Sequence, residues 1–528
     1  MAFTSISFLA FIAALTLVYY LIPKRFQWCL LLLASYAFYL FSGIPQVAFL
    51  IGTTLINYFA ALVMQKKRDQ FRARTDLTKE QRREEKKAVN KKIHRIQVWT
   101  VLLNLLVLGA VKYLNSTIGN LNTLFTLFRF DAQIPLMNII VPMGISFYTF
   151  SSIAYIIDIG RGKYDAERHL GKYALYVSFF PCIIQGPINR YNDVGKQLGE
   201  PHKFSYENLT YGAQLILWGF FKKLVIADRA AMIARTTFVQ NVDAFTGTVH
   251  VIGMLAYAAQ IYCDFSGGID IARGAAQMLG IDLPQNFERP YFSTTISEYW
   301  RRWHITLGAF MRDYVFYPVM LSKFVTRLGG LARKRFGGHA GKVVPSVITS
   351  FAVFFLVGIW HGATWNYVVY AIYNAVVVAG GVALTPALQK LTEKLKIRTD
   401  VFSWKLFQIL RTFMISSIAK VIAVSFSVKT GLKTIKKMFT EVTPWVLTDG
   451  TLFKLGLDQL EMFILFCALL VLLTVSILQE RGVKMRETIA KQNLVFRWAL
   501  FILAIMTVIL FGVYGSRYNA ADFIYANF

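Results

Sequence analysis

Apolar runs of about the length needed to cross a bilayer recur from one end of the chain to the other. Three open it, at about 6–22, 27–43 and 46–64. Others follow at about 97–114, 137–158, 173–188, 209–227, 250–266, 345–360, 365–386, 405–427, 461–478 and 495–514. A helix rises about 1.5 Å per residue, so roughly 20 apolar residues span the hydrocarbon. A helix also satisfies its own backbone polar groups where no water can. The pattern predicts an all-α, polytopic integral membrane protein with roughly 11–13 transmembrane or re-entrant helices.

Some runs are interrupted. Phe180-Pro-Cys-Ile-Ile-Gln-Gly-Pro187 and Cys263-Asp-Phe-Ser-Gly-Gly268 place Pro, Gly or charge inside apolar surroundings. Both are read as re-entrant or broken segments, tolerable only where protein buries them or they line a wet cavity. The expected organisation is N-terminal helices over 1–136 with a basic loop at 65–96, a core over 137–386 that holds the working part, C-terminal helices over 387–514 and an aromatic tail over 515–528. No internal repeat is evident, which weighs against a transporter built from inverted halves.

Composition agrees with a membrane body: 55% apolar, 16% charged and a mean hydropathy of +0.47. The net charge of +28 would suit a nucleic-acid binder. Its placement argues otherwise, because the cations cluster beside apolar runs, as the positive-inside rule expects. Lys66 to Arg95 holds 13 Lys/Arg against 5 Asp/Glu and reads as a solvated helical hairpin or loop in the cytoplasm. Three preceding spans put the N-terminus outside. The first run is followed, not preceded, by Lys24 and Arg25, and is read as a transmembrane helix rather than a signal peptide. Loops around Lys390–Arg398 and Arg481–Lys491 are assigned to the cytoplasm, so the C-terminus also lies outside. Lys429, Lys433, Lys436 and Lys437 fall outside in this scheme, against the rule.

The chemistry concentrates on two of only seven histidines, His304 in Glu298-Tyr-Trp-Arg-Arg-Trp-His304 and His361 in Gly358-Ile-Trp-His-Gly-Ala-Thr-Trp365. A neutral imidazole takes and returns a proton near pH 7. Placing one in an apolar region is costly and points to function. His361 sits between Trp360 and Trp365, and Gly362 permits close backbone approach. His304 reads equally well as a structural residue donating to a carbonyl. Arg301, Arg302 and Arg312 have Glu298, Asp313, Asp264 and Asp270 as partners for an internal ion-pair network. No metal-ligand spacing, Walker loop, dinucleotide fingerprint or nucleophile elbow occurs. Cys29, Cys182, Cys263 and Cys467 read as small buried residues.

Trp300-Arg-Arg-Trp-His-Ile-Thr306, Arg312-Asp-Tyr314 and Trp360-His-Gly-Ala-Thr-Trp365 resemble the membrane-bound O-acyltransferases, in particular their alginate O-acetylation branch. Pro142-Met-Gly-Ile-Ser-Phe-Tyr-Thr-Phe150, Ser178-Phe-Phe-Pro181, Gln185-Gly-Pro-Ile188 and Asp264-Phe-Ser-Gly267 match in the same order over about 140–365.

The resemblance implies a helical body with a tunnel, into which a thioester donor, acetyl-CoA above all, enters from the cytoplasm. It binds no permanent cofactor. It implies transfer of the acyl group outward to a cell-envelope polysaccharide at the bacterial inner membrane. His361 then matches the family's invariant base, and His304 a supporting position that holds the thioester or stabilises the oxyanion. Arg301, Arg302, Trp303 and Trp360 become substrate contacts. The tail Ala521-Asp-Phe-Ile-Tyr-Ala-Asn-Phe528 resembles a C-terminal motif whose tyrosine carries the acyl group, here Tyr525. An interfacial aromatic anchor is the alternative for that tail. An extracytoplasmic acetyltransferase or esterase-like partner would finish the transfer, and nucleic acid has no part. D-alanyl transfer to teichoic acid, a lipid-linked sugar transporter and a bare scaffold are the competing readings.

Overall fold

A computed structural model describes residues 2–240 and 242–514. Every named element among them is a helix, and one isolated antiparallel bridge joins Phe287 to Trp303. The described residues divide into two units, 2–216 with 269–284, and 217–268 with 285–514. The tail from residue 515 on, which includes Tyr525, lies outside the described residues.

In the first unit the opening apolar runs become α1 (Ile6–Leu21), α2 (Gln27–Leu40) and α3 (Ile44–Arg72). The basic block is a helical hairpin, formed by the end of α3 and the start of α4 (Lys79–Leu127). Thr78 closes a capping box with Gln81 and starts α4 cleanly. Deeper in the pair, the Asn57 and Asn104 amides donate to each other's oxygens at 2.9 and 3.0 Å, locking the two apolar helices in register.

The run predicted at 137–158 is helical only from α5 (Ile145–Arg161) onward. Pro142 and the left-handed Gly144 (φ 69°) start the helix late. A Cβ on Gly144 would lie 1.6 Å from the Ile183 carbonyl oxygen, so only glycine fits. The Phe180–Pro187 segment is broken as expected: α6 (Leu170–Ser178) and the single-turn α7 (Phe180–Ile183) give way to non-helical backbone, almost all of it buried.

Tyr206–Phe220 forms α8, and α9 runs unbroken from Gly247 to Met278. The expected break at Cys263–Gly268 is therefore absent. Its glycine serves packing instead, since a Cβ on Gly267 would sit 2.9 Å from the Gly219 carbonyl. Its Asp264 pairs with Lys223 at 2.6 Å, both of them buried, and Lys223 also pairs with the partly exposed Asp228 at 2.7 Å within the second unit.

The remainder of the second unit contains α10 (Ile296–Arg302), α11 (Ile305–Met311), α12 (Lys323–His361), α13 (Trp365–Lys394), α14 (Phe402–Val424), α15 (Val428–Thr440), α16 (Gln459–Glu480) and α17 (Leu494–Phe511). α12 is kinked at Gly337, where φ is 87°. α12 and α13 form a tight hairpin, in which a Cβ on Gly358 would touch Ala371 at 2.6 Å. Asn366 ties α13 to the end of α14 by donating to the Ile422 and Ser425 carbonyls at 3.0 and 2.5 Å. The lysines that offended the positive-inside rule lie on α15, whose 13 residues are too few to span a bilayer. It buries Gly431, Thr434 and Met438 and exposes Lys429, Lys433 and Lys436.

Seven of the described helices are long and apolar enough to cross a membrane: α3, α4, α12, α13, α14, α16 and α17. The apolar α1 is shorter, and the other runs form shorter or more polar helices.

Candidate active site

His304 follows α10 and caps the N-terminus of α11, outside the seven membrane-length helices. Its backbone is left-handed, with φ 46° and ψ 56°. For a residue with a Cβ this costs about 1–2 kcal/mol. The neighbouring backbone holds it there. Glu288 N–H donates to the Arg302 carbonyl and Ile305 N–H to the Asn286 carbonyl, each at 3.0 Å. Asn286 Oδ1 then accepts the Thr306 N–H at 2.9 Å and the Thr306 hydroxyl at 3.0 Å, and lies 3.2 Å from His304 Nδ1. Asn286 is wholly buried.

The imidazole itself is 3% exposed and meets Phe265 edge-on at a centroid distance of 4.8 Å. Burial, and then the nearby His361, hold it well below the ordinary histidine range.

His361 is the last residue of α12 and only half-buried, so the more enclosed of the two imidazoles is His304. Both meet Trp360. Its ring lies 5.8 Å from His304 and 4.6 Å from His361, centroid to centroid. The expected bracket of His361 by two tryptophans is corrected, because Trp365 is 69% exposed. Tyr367, stacked at 5.7 Å, and Tyr370, edge-on at 6.1 Å, take that place. Gly362 has the predicted role, since a Cβ there would strike the Tyr367 ring at 2.8 Å.

The remaining predicted residues separate. Arg302 is committed to Glu298 at 2.7 Å and Glu480 at 3.1 Å, and Glu480 also holds Arg289 at 2.7 Å. Arg301 is exposed and has no carboxylate partner among the described residues. Arg312 pairs with its neighbour Asp313. Trp303 is buried in an aromatic cage. Its ring, with those of Tyr291 and Tyr299, surrounds the Lys420 ammonium at 5.3, 4.9 and 5.3 Å respectively. Lys420 is buried on α14, with no carboxylate partner among the described residues. Sequence reasoning passed over Lys420, although a lysine well inside the apolar run 405–427 is itself a signal. It also passed over Asn286, a polar residue in a short loop that nothing local distinguishes.

Two imidazoles converge on one indole in apolar surroundings, which suits proton transfer. A profile of the membrane-bound O-acyltransferase family matches residues 165–332, a span that includes His304 and stops short of His361. An Azotobacter vinelandii protein named "Probable alginate O-acetylase AlgI" is 34% identical over 71% of this chain and 67% of its own length. Its Pseudomonas aeruginosa namesake is 32% identical over 77% of this chain and 72% of its own length.

The chain belongs to the membrane-bound O-acyltransferase family.

It is accordingly an acyltransferase and a multi-pass membrane protein. A Bacillus subtilis teichoic acid D-alanyltransferase is also similar, at 31% identity, but over 46% of this chain and 60% of its own length.

Proposed function

We propose that this membrane-bound O-acyltransferase takes an acetyl group from a cytoplasmic thioester, acetyl-CoA, and passes it outward for O-acetylation of a cell-envelope polysaccharide. The observation that carries the reading is the convergence of His304 and His361 on Trp360. The similarity to alginate O-acetylases over two thirds or more of their length favours acetyl over D-alanyl.

In this reading His361 removes the proton from an acceptor hydroxyl. The oxygen bonds to the thioester carbonyl carbon, the C–S bond breaks, and the thiolate takes the proton back from the His361 imidazolium. A thiol is acidic enough (pKa about 8.5) that its thiolate leaves without strong acid catalysis. Tyr525, outside the described residues, supplies the acceptor hydroxyl, and a separate extracytoplasmic acetyltransferase or esterase-like protein moves the group on to the polymer. His304 is the second ring of the site. Arg301 is the arginine left to meet donor phosphates, since Arg302 is engaged by carboxylates.

By the positive-inside rule the basic α3–α4 hairpin faces the cytoplasm of a bacterial inner membrane, with both termini outside. Sealed inverted vesicles given labelled acetyl-CoA test the direction. Label should accumulate on lumenal acceptor. Label confined to the face of addition contradicts the proposal.

A further inference from the structure

Asn286 joins His304 to its neighbours through one oxygen atom. That atom receives the Thr306 N–H at 2.9 Å and the Thr306 hydroxyl at 3.0 Å, with His304 Nδ1 at 3.2 Å. A backbone N–H can only donate, so the amide atom facing it is the oxygen and not the nitrogen. An amide oxygen has no proton to give. The hydrogen in the Asn286–His304 contact therefore belongs to Nδ1. Neutral imidazole carries a single N–H, which leaves the lone pair on Nε2.

We propose that Asn286 is a positioning residue for acyl transfer: it holds His304 as the Nδ1–H tautomer, so that Nε2 faces the chemistry as a hydrogen-bond and proton acceptor. This rests on the reading of His304 as part of the acyl-transfer site. It also narrows what His304 does there. A neutral ring protonated at Nδ1 has no Nε2 hydrogen with which to stabilise an oxyanion. What it offers is an acceptor that orients the attacking hydroxyl beside His361.

The local backbone supports a built device. The left-handed turn at His304 is fixed on one side by the Ile305 N–H to the Asn286 carbonyl and on the other by the Gly308 N–H to the His304 carbonyl, each at 3.0 Å. One residue, Asn286, thus sets both where the ring stands and which nitrogen holds its proton. His361 of α12 is a titratable group acting on His304, while Phe265 of α9, Trp360 and Asn286 are uncharged.

Two measurements on the full-length protein in detergent or vesicles decide it. The first is the ring ¹⁵N signals of histidine-labelled protein, with His304→Gln used to identify those of His304. Wild type should show a protonated Nδ1 and a bare Nε2, and Asn286→Ala should lose that preference. A protonated Nε2 in neutral wild-type His304 would overturn the proposal.

The second is the pH–rate profile of Asn286→Asp. This variant keeps the accepting oxygen and the side-chain volume and adds a negative charge against Nδ1–H. Such a charge favours the imidazolium, so the acid limb of the profile should move up by about one pH unit or more. A purely structural role for Asn286 would leave the limb in place, and that result overturns the proposal. So does movement of the alkaline limb alone, the mark of a ring needed in its charged form. If Asn286→Asp is folded but inactive, its His304 ¹⁵N titration decides: a higher midpoint supports the proposal and an unchanged one overturns it. His304→Ala is the separate control. Full activity in that variant removes His304 from the site, whatever tautomer it holds.

Discussion

His304 and His361 pack against the same indole, that of Trp360, at centroid distances of 5.8 and 4.6 Å. One ring enters from a left-handed turn and the other from the end of a long helix. If they serve one reaction, their removal should be far from additive. His304→Ala and His361→Ala should each lower acyl transfer strongly, and the double variant should be little worse than the more damaging single one. Multiplying effects in a steady-state assay would mean that the two rings act independently.

Adjacent arginines are expected to behave oppositely. Arg302 is held by Glu298 and Glu480 at 20% side-chain exposure. Arg302→Ala strands part of that network and should destabilise the protein by about 2 kcal/mol, less than the loss of a fully buried pair. Arg301 is exposed and touches no carboxylate among the described residues. Arg301→Ala should leave thermal unfolding unchanged while raising KM for the acyl-CoA donor. A stability loss at Arg301 with unchanged KM would reverse the two assignments.

Lys420 tests the aromatic cage. Its ammonium is buried over Tyr291, Tyr299 and Trp303. Burying a cation without a carboxylate is costly, and three ring faces offset part of that cost. Lys420→Met, similar in length and uncharged, should therefore be neutral or stabilising by about 1 kcal/mol in thermal unfolding. A loss of several kcal/mol would show that the charge has a stronger partner than the rings.

Gly144 is the sharpest backbone prediction. It combines φ 69° with a Cβ position 1.6 Å from a backbone oxygen. Gly144→Ala should prevent accumulation of folded protein, measured by monodisperse yield in detergent. Normal yield would mean that the Pro142–Gly144 turn can move away from Ile183.

Much of the fold was legible because hydropathy alone marks where a helix must lie. Each predicted apolar run contains helix, although Pro142 and Gly144 delay the start of α5 until Ile145 and the run at 173–188 leaves the helix after Ile183. The misreading at Cys263–Gly268 has a general cause. Glycine marks either a break or a close approach, and only the neighbouring helix, through the Gly219 carbonyl, says which. The site was legible as residue types and not as contacts. The two histidines stood out by rarity and setting. Asn286 did not, because its meaning lies in a left-handed turn 18 residues downstream. The cage hid for a similar reason, since Lys420 reaches Trp303 from a helix far along the chain. Glu480, which decides the fate of Arg302, lies 178 residues from it.

The tail is tested by its hydroxyl. Tyr525→Phe keeps the aromatic ring. If Tyr525 receives the acyl group, the variant should insert normally and transfer no acetyl group to the polymer. Full polymer acetylation would make the tail an anchor only.

The most direct test of the account is the rate of labelled acetyl transfer from acetyl-CoA to polymer in membranes containing wild type or His361→Ala at matched, inserted levels. Loss of a general base should lower the rate by about 10²–10⁴-fold. A His361→Ala rate within a few-fold of wild type would contradict the assignment of His361 as the base.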